Sequence, residues 1–276
     1  MDTPNTTGTA PWSDADVQAR VEALLNTLSL AEKVGQLVQI GAADFVPGPK
    51  PEVVIRQGGA GSVLWLNDTK RFNALQKIAV EESPSKIPLL FALDVIHGYR
   101  TIFPVPLALA ASWDPATIEG AQSVASQEAR AAGLHWTFAP MLDVARDARW
   151  GRIVEGAGED PYLGAAVAAA QVRGFQGAYL GAPGRVVACA KHFAGYGASD
   201  GGRDYDPVYL SENQLRNVYF PPFRAAVDAG VGTFMSAYMD LNDVPATGNR
   251  WLLRDVLRGE WGFGGFVVSD AFAVGN

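Results

Sequence analysis

The chain has 276 residues, 48% hydrophobic, 10% aromatic and only 18% charged, which gives it enough apolar mass for a sizeable core and excludes a disordered or coiled-coil chain. Twenty-nine acidic residues against 22 basic ones leave a net charge of −7, and no Lys/Arg run offers a face to phosphates, so nucleic acid is excluded as a partner. The longest apolar stretches, Pro106–Trp113 and Leu163–Ala170, fall short of the 18 or more residues that span a bilayer, so no membrane partner is expected either.

From the N-terminus, residues 1–14 read as a tail, with neither the basic nor the apolar region of a signal peptide. The compartment is therefore left open between a cytoplasmic protein and a periplasmic or secreted one whose signal peptide has been removed. Residues 15–276 read as one domain. Ser29 and Glu32 form a capping box that starts a helix. Apolar runs follow at Leu37–Gly41, Ser62–Leu66 and Leu89–Leu93, then a helix over Asp114–Ala132 opened by Asp-Pro. His135–Ala139 and Val186–Ala190 are the next runs; a helix over Ser211–Ala229, a run at Thr233–Ala237, a helix over Asn249–Gly259 and a last run at Phe266–Ser269 complete the series. The runs are strand-length and continuous rather than alternating, as expected of a parallel sheet covered on both faces. The β-α alternation predicts an α/β fold, either a doubly wound sheet or a (β/α)8 TIM-barrel-like fold.

Polar residues decide between them. Asp94, Asp143, the Lys191-His192 pair, Tyr238 and Asp270 each sit at or just past the end of a different apolar run. In a barrel all strand ends converge on one mouth, whereas an open sheet brings together only those at its switch point, so the barrel is the expectation. Seven runs are present and the sequence given stops six residues after Asp270, so the barrel is expected to be truncated before its last β/α unit. Each carboxylate taken alone could be a helix cap. Converging with Lys, His, Arg and Tyr, they suit hydroxyl-rich ligands and a developing positive charge, which fits sugars. Lys191 also admits a Schiff-base, aldolase-like reading. The three histidines lack metal-ligand spacing, and single Cys189 excludes an internal disulfide and a multi-cysteine zinc site. No metal is expected. Gly58-Gly59-Ala60-Gly61 and Gly195-Tyr196-Gly197 match no nucleotide-binding motif and read as turns, so no cofactor is expected.

Taken in order, LDVIHGYRTIFP (93–104), PMLDVARDARWGR (140–152), EGAGEDPYL (155–163), KHFAGYGASDGGRDY (191–205), FMSAYMDLN (234–242) and GFVVSD (265–270) resemble glycoside hydrolase family 3 of the bacterial β-glucosidase type. The resemblance covers roughly residues 15 to 270 and implies that the chain is the family's N-terminal catalytic barrel. It also implies a retaining exo-acting β-glycosidase that removes terminal β-D-glucosyl residues from a β-glucoside or oligosaccharide. By position, Asp270 matches the catalytic nucleophile, and Asp94, Arg152, Lys191, His192 and Tyr238 match residues around the terminal sugar. Arg203 matches a basic position supporting the site from outside, and Tyr238 is expected to orient Asp270. Ala271 stands where many relatives carry an aromatic, and Ala157 where Phe is common. Relatives with this kind of KHF segment take their acid/base glutamate from a following α/β sandwich domain, so no acid/base residue is assigned within 1–276, Glu155 and Glu159 included. The rival readings are a sugar-binding pseudoenzyme fragment and the Lys191 aldolase-like barrel.

Overall fold

The computed structural model describes residues 10, 12–43 and 46–275; residues 1–9 and 11 of the expected tail, and Asn276, lie outside them. The chain is helical from Asp14. By their contacts the residues form two compact units, one running to Leu93 and including Ala129–Trp136, the other comprising Asp94–Glu128 and Thr137 onward.

The first unit holds strands β1 (Gln39–Gly41), β2 (Ser62–Leu64) and β3 (Leu90–Leu93), which continue to β4 (Trp136–Thr137) in a four-stranded sheet of order β1-β2-β3-β4. Pairing is parallel, Gln39 opposite Ser62 and Ser62 opposite Leu90. Helices α1 (Asp14–Leu25), which buries no residue, and α2 (Leu30–Gln36) precede β1, α3 (Pro51–Arg56) lies between β1 and β2, and α4 (Thr69–Lys77) between β2 and β3 in the chain. The capping box opens α2 as read from sequence: the Glu32 amide donates to Ser29 Oγ at 3.3 Å and the Ser29 amide to Glu32 Oε2 at 2.8 Å. Asp68 caps α4 by accepting from the Lys70 and Arg71 amides at 2.8 and 3.1 Å. Ile55, Val63, Phe72, Leu75 and Phe91 form the buried centre. His135 belongs to this scaffold, its Nδ1 accepting the Phe91 amide at 3.2 Å.

In the second unit an extended segment, 137–142, runs beside 187–191: the Thr137 amide donates to Val187 O at 2.9 Å, the Cys189 amide to Ala139 O at 2.8 Å and the Lys191 amide to Pro140 O at 3.0 Å. Beyond it β5 (Cys189–Phe193), β6 (Thr233–Ser236) and β9 (Phe266–Ser269) form a parallel sheet in that order. Between the last two lies a small antiparallel hairpin, β7 (Asp240–Leu241) and β8 (Val244–Pro245). The helices here are α5 (Pro106–Ala110), α6 (Pro115–Ala132, whose last residues belong to the first unit), α7 (Pro161–Gln176), the short α8 (Glu212–Gln214) and α9 (Pro221–Asp228). One side chain sets the height of two strands. Gln176 Oε1, at the end of α7, accepts the Ala188 and Gly232 amides at 3.1 and 2.9 Å, while its amide donates to Gly230 O at 2.9 Å. Phe193 of β5 and Phe234 of β6 pack with Phe220, Phe223, Trp261 and Phe263, edge-to-face except for the stacked Phe193–Phe220 pair.

All seven apolar runs carry strand residues, and two details correct the sequence reading. The run expected to end at Ala190 instead forms β5 at Cys189–Phe193. Lys191 and His192 therefore lie within a strand: Lys191 keeps its ladder bond, and the two side chains bond Asp94 and Asp143, so the first charge does not end the strand. The helix expected over Ser211–Ala229 is broken into α8, a π-helical turn at Leu215–Tyr219, and α9, which begins at Pro221. Proline lacks an N–H and crowds the preceding turn, so a new helix starts there. Asn249–Gly259 is helical as expected, with π geometry over Trp251–Glu260. No helix among the described residues is long and apolar enough to cross a membrane.

Candidate active site

Every residue of this site belongs to the second unit, and each is delivered by the end of a strand or the loop after it. Asp94 directly follows β3; Asp143 follows the extended 137–142 segment; Lys191 and His192 are in β5; Tyr238 comes two residues after β6; Asp270 closes β9. Arg152 and Glu155 come from the loop between 142 and α7.

The charged groups are joined in pairs. Lys191 Nζ donates to Asp94 Oδ1 at 2.6 Å; the lysine side chain is 4% exposed and the aspartate 41%. Arg152 grips Glu155 with two bonds, Nε to Oε1 at 2.7 Å and an Nη to Oε2 at 3.1 Å. This is the bidentate fork that a guanidinium makes and an ammonium does not. Burial works against the Arg152 charge, but the Glu155 carboxylate more than offsets it and raises the guanidinium's pKa. His192 and Asp143 form the third pair. Asp143 Oδ2 accepts both the His192 amide, at 3.1 Å, and faces the ring Nδ1 at 2.7 Å. Both side chains are fully buried, which pushes the Asp143 carboxyl up to about 8 and holds the His192 imidazole well below its ordinary value.

Asp270 is left without a Lys or Arg partner within ion-pair distance among the described residues. Its neighbours are the Tyr238 hydroxyl, which hydrogen-bonds it, its own following amide at Ala271, 2.7 Å from Oδ1, and His192 Nε2, 3.4 Å from Oδ2. Burial raises its pKa, and the Tyr238 hydroxyl, the Ala271 amide and the nearby charges of Lys191 and Arg152 work the other way. Burial and the Asp270 charge raise the Tyr238 phenol. The site's wall is aromatic: Arg152 lies 5.6 Å over the Tyr196 ring, which packs edge-on to His192 at 5.3 Å, and Tyr205 meets Tyr238 at 5.1 Å. Asp204 ties this wall down by accepting from Tyr196 OH at 2.5 Å and Trp150 Nε1 at 3.0 Å. Gly197 allows the loop to close, since a Cβ there would come within 2.1 Å of the Val144 carbonyl oxygen. A cavity of about 230 Å³ opens beside Asp94 and Glu155, walled by His97, Ile102, Val105 and Val154.

Asp94, Arg152, Lys191, His192, Tyr238 and Asp270 are thus brought together through direct contacts and mutual charge effects. Arg203 is not: its side chain is 80% exposed and faces Asp206 at 3.9 Å. Glu159 is exposed. Three members had no role in the sequence reading. Asp143 carried only the signal of lying just past a strand, Glu155 only that of lying near the mouth, and Asp204 none. His97 is a scaffold residue, bonded through Nδ1 to Phe103 O at 2.9 Å. No group of three or more His, Cys, Asp or Glu residues suited to a metal occurs among the described residues.

Residues 29–276 match the glycosyl hydrolase family 3 N terminal domain. The chain is 41% identical over 270 residues to a periplasmic beta-glucosidase from Salmonella typhimurium, covering 98% of this chain and 35% of that protein. It is 37% identical over 276 residues to a beta-xylosidase from Formosa agariphila, covering 99% and 34% respectively. The crystal structure of a beta-glucosidase from Listeria innocua in complex with isofagomine superposes with a TM-score of 0.87 at 41% identity, covering 93% of this chain and 37% of that one. The chain thus has a mixed α/β fold similar to part of that enzyme, and spans about a third of the length of the curated relatives it matches.

Proposed function

We propose, from the premise that this chain belongs to glycosyl hydrolase family 3, that it carries the nucleophile and sugar-binding half of a retaining exo-β-glucosidase. The observation that carries the reading is the pairing of charges: Asp94, Asp143 and Glu155 each have a cationic or imidazole partner at 2.6–2.7 Å and Asp204 is spent on the Tyr196 hydroxyl and the Trp150 indole, whereas Asp270 has only neutral donors and one imidazole nitrogen at 3.4 Å. A nucleophile must be an available anion, and a carboxylate bonded to a guanidinium or ammonium is not one.

In this reading an Asp270 oxygen attacks the anomeric carbon while the glycosidic C–O bond breaks and the leaving oxygen takes a proton from a general acid. Water then attacks the glycosyl ester, gives up its proton to the same group, and releases the sugar and the Asp270 carboxylate. Asp94 with Lys191, and Arg152, hold the outer hydroxyls of the terminal sugar through charge-assisted bonds, and Tyr238 and His192 line the nucleophile's side. Glu155 is committed to Arg152 and Glu159 is exposed, and neither is given the acid/base role; the resemblance to relatives with this kind of KHF segment implies a glutamate from an α/β sandwich domain for it. We also take the fold over residues 15–276 to be of the (β/α)8 barrel type. By likeness to the Salmonella typhimurium relative, the compartment is the periplasm. Lys191 is spent on Asp94, which speaks against its use as a free Schiff-base amine.

A 2-deoxy-2-fluoro aryl β-glucoside tests the assignment on the intact enzyme: the label is expected on Asp270, and turnover of an aryl β-glucoside is expected to exceed that of the β-xyloside. A label on another residue, or normal turnover by Asp270→Ala, would overturn it.

A further inference from the structure

The contact between the nucleophile and a buried histidine raises a question that the sugar-binding reading leaves open: what decides which nitrogen of His192 carries a proton. We propose that Asp143 is a positioning residue that presents the His192 imidazole with a proton on Nε2, so that Nε2–H donates to Asp270 Oδ2 and keeps the nucleophile ionised. This rests on Asp270 being the nucleophile.

Three observations carry it. Asp143 and His192 are buried with side-chain exposures of 0% and 1%, so water does not set their protonation. A single oxygen of Asp143, Oδ2, serves both the His192 amide and Nδ1, which fixes the backbone and the ring together. The ring's other nitrogen, Nε2, is buried with no hydrogen-bond partner, and Asp270 Oδ2 lies 3.4 Å from it. A buried polar atom left unpaired costs free energy that a small closing movement toward Asp270 would recover.

Proton counting gives the direction of that bond. The buried Asp143–His192 couple is cheapest when neutral overall, since burial disfavours the charge on each partner. A neutral couple holds two protons. One lies in the Oδ2–Nδ1 bond, whichever side it sits on; of the two sites left for the other, Asp143 Oδ1 is buried with no partner among the described residues, whereas Nε2 faces Asp270 Oδ2 at 3.4 Å, which places the proton on Nε2. Removing it would place an anionic couple beside an anionic nucleophile. The other groups facing this array do not supply the bond: Lys191 and Arg152 act on it through space but are bonded to Asp94 and Glu155, Tyr196 meets the ring edge-on, and Tyr238 bonds Asp270 itself.

Asp143→Asn reverses the tautomer. To keep the His192 amide bonded, the asparagine must put its carbonyl where Oδ2 was, and a neutral acceptor there holds the ring as Nδ1–H, with Nε2 bare against Asp270. The test is the pH dependence of the rate at which the fluorinated glucoside labels Asp270 in the intact enzyme. Loss of one charge-assisted donor is expected to raise the acid limb by about one to two pH units. His192→Gln supplies an amide N–H toward Asp270 without help from Asp143, so adding Asp143→Asn to it is expected to move the limb no further. An acid limb in folded Asp143→Asn unchanged from wild type, or the same displacement in both backgrounds, would overturn the proposal. Should Asp143→Asn not fold, His192→Gln and His192→Phe decide: the limb is expected to rise only in the phenylalanine variant, and equal limbs in both would overturn it. Wild-type labelling at another residue would refute the nucleophile assignment first, before any variant is read.

Discussion

Arg152→Lys is the most informative single change in the site, because it keeps the charge and removes the fork. In the wild type the guanidinium makes two bonds to Glu155, at 2.7 and 3.1 Å, and lies 5.6 Å over the Tyr196 ring. A lysine ammonium can keep one bond to Glu155 or turn to a sugar hydroxyl, and cannot do both in one plane. Losing one charge-assisted bond that matters in the transition state costs about 1.5–3 kcal/mol, or roughly a 10- to 150-fold fall in kcat/KM at about 1.4 kcal/mol per factor of ten. Stability responds less. The two side chains are 21% and 25% exposed, so solvent screens part of the pair and the stability loss stays near ~1 kcal/mol. Steady-state kinetics on an aryl β-glucoside together with thermal melting separate the two effects. Glu155→Gln provides the control: if Glu155 acts by orienting Arg152, the double variant loses less than the sum of the singles. A lysine variant within twofold of wild-type kcat/KM, or one whose activity loss merely tracks its unfolding, would refute the reasoning.

Four further outcomes are expected. Lys191→Met should raise KM more than it lowers kcat, with kcat/KM down about 10-fold or more, and an unchanged KM would contradict its placement against the sugar; Tyr238→Phe removes a donor to Asp270 and should move the acid limb of kcat/KM upward, a limb that stays put being the contrary result. Gly197→Ala places a Cβ 2.1 Å from the Val144 carbonyl oxygen and should destabilise by about 1–3 kcal/mol through forced backbone shifts, read as a lower melting temperature. Because burial raises the Asp270 pKa in the folded state, the folded protein binds more protons than the unfolded one as pH rises from the ordinary carboxylate value, and stability falls across that window. Asp270→Asn should accordingly melt higher than wild type, by a margin that grows from about pH 4 upward; equal melting curves at pH 4 and pH 8 would show that the nucleophile is not held at the expense of stability.

The strands were legible because a strand buried on both faces must be apolar along its whole length, and the sequence shows seven such runs. Where legibility failed, a tertiary contact had replaced a local rule. A charged residue in a strand interior normally ends it, but Lys191 is neutralised by Asp94, 97 positions away in sequence, and no local pattern reports that partner. The break before α9 is signalled by Pro221-Pro222, although helical periodicity continues on both sides of it. Helix α7, begun by the Asp160-Pro161 cap with the Tyr162 and Leu163 amides 2.7 and 3.2 Å from Asp160 Oδ1, was missed because its small apolar residues, Gly164–Ala170, lack a polar face.

The site followed a different logic. Residue types placed at strand ends were enough to nominate the cluster, since the parallel topology sends successive strand ends to one side. Which carboxylate is free to react could not be read from types alone, because Asp94, Asp143, Glu155 and Asp270 look alike in sequence. Their partners separate them: Asp94 is joined to Lys191, Glu155 to Arg152 only three residues away, and Asp143 to His192 across 49 positions. Only the i,i+3 pair is local enough to be guessed from spacing. Asp270 is distinguished by what does not bond it. A carboxylate kept ionised by a hydroxyl, an amide and an imidazole, rather than by a directly bonded cation, retains its lone pairs for an electrophilic carbon, and the charges of Lys191 and Arg152, each committed to another carboxylate, favour its anion without bonding it.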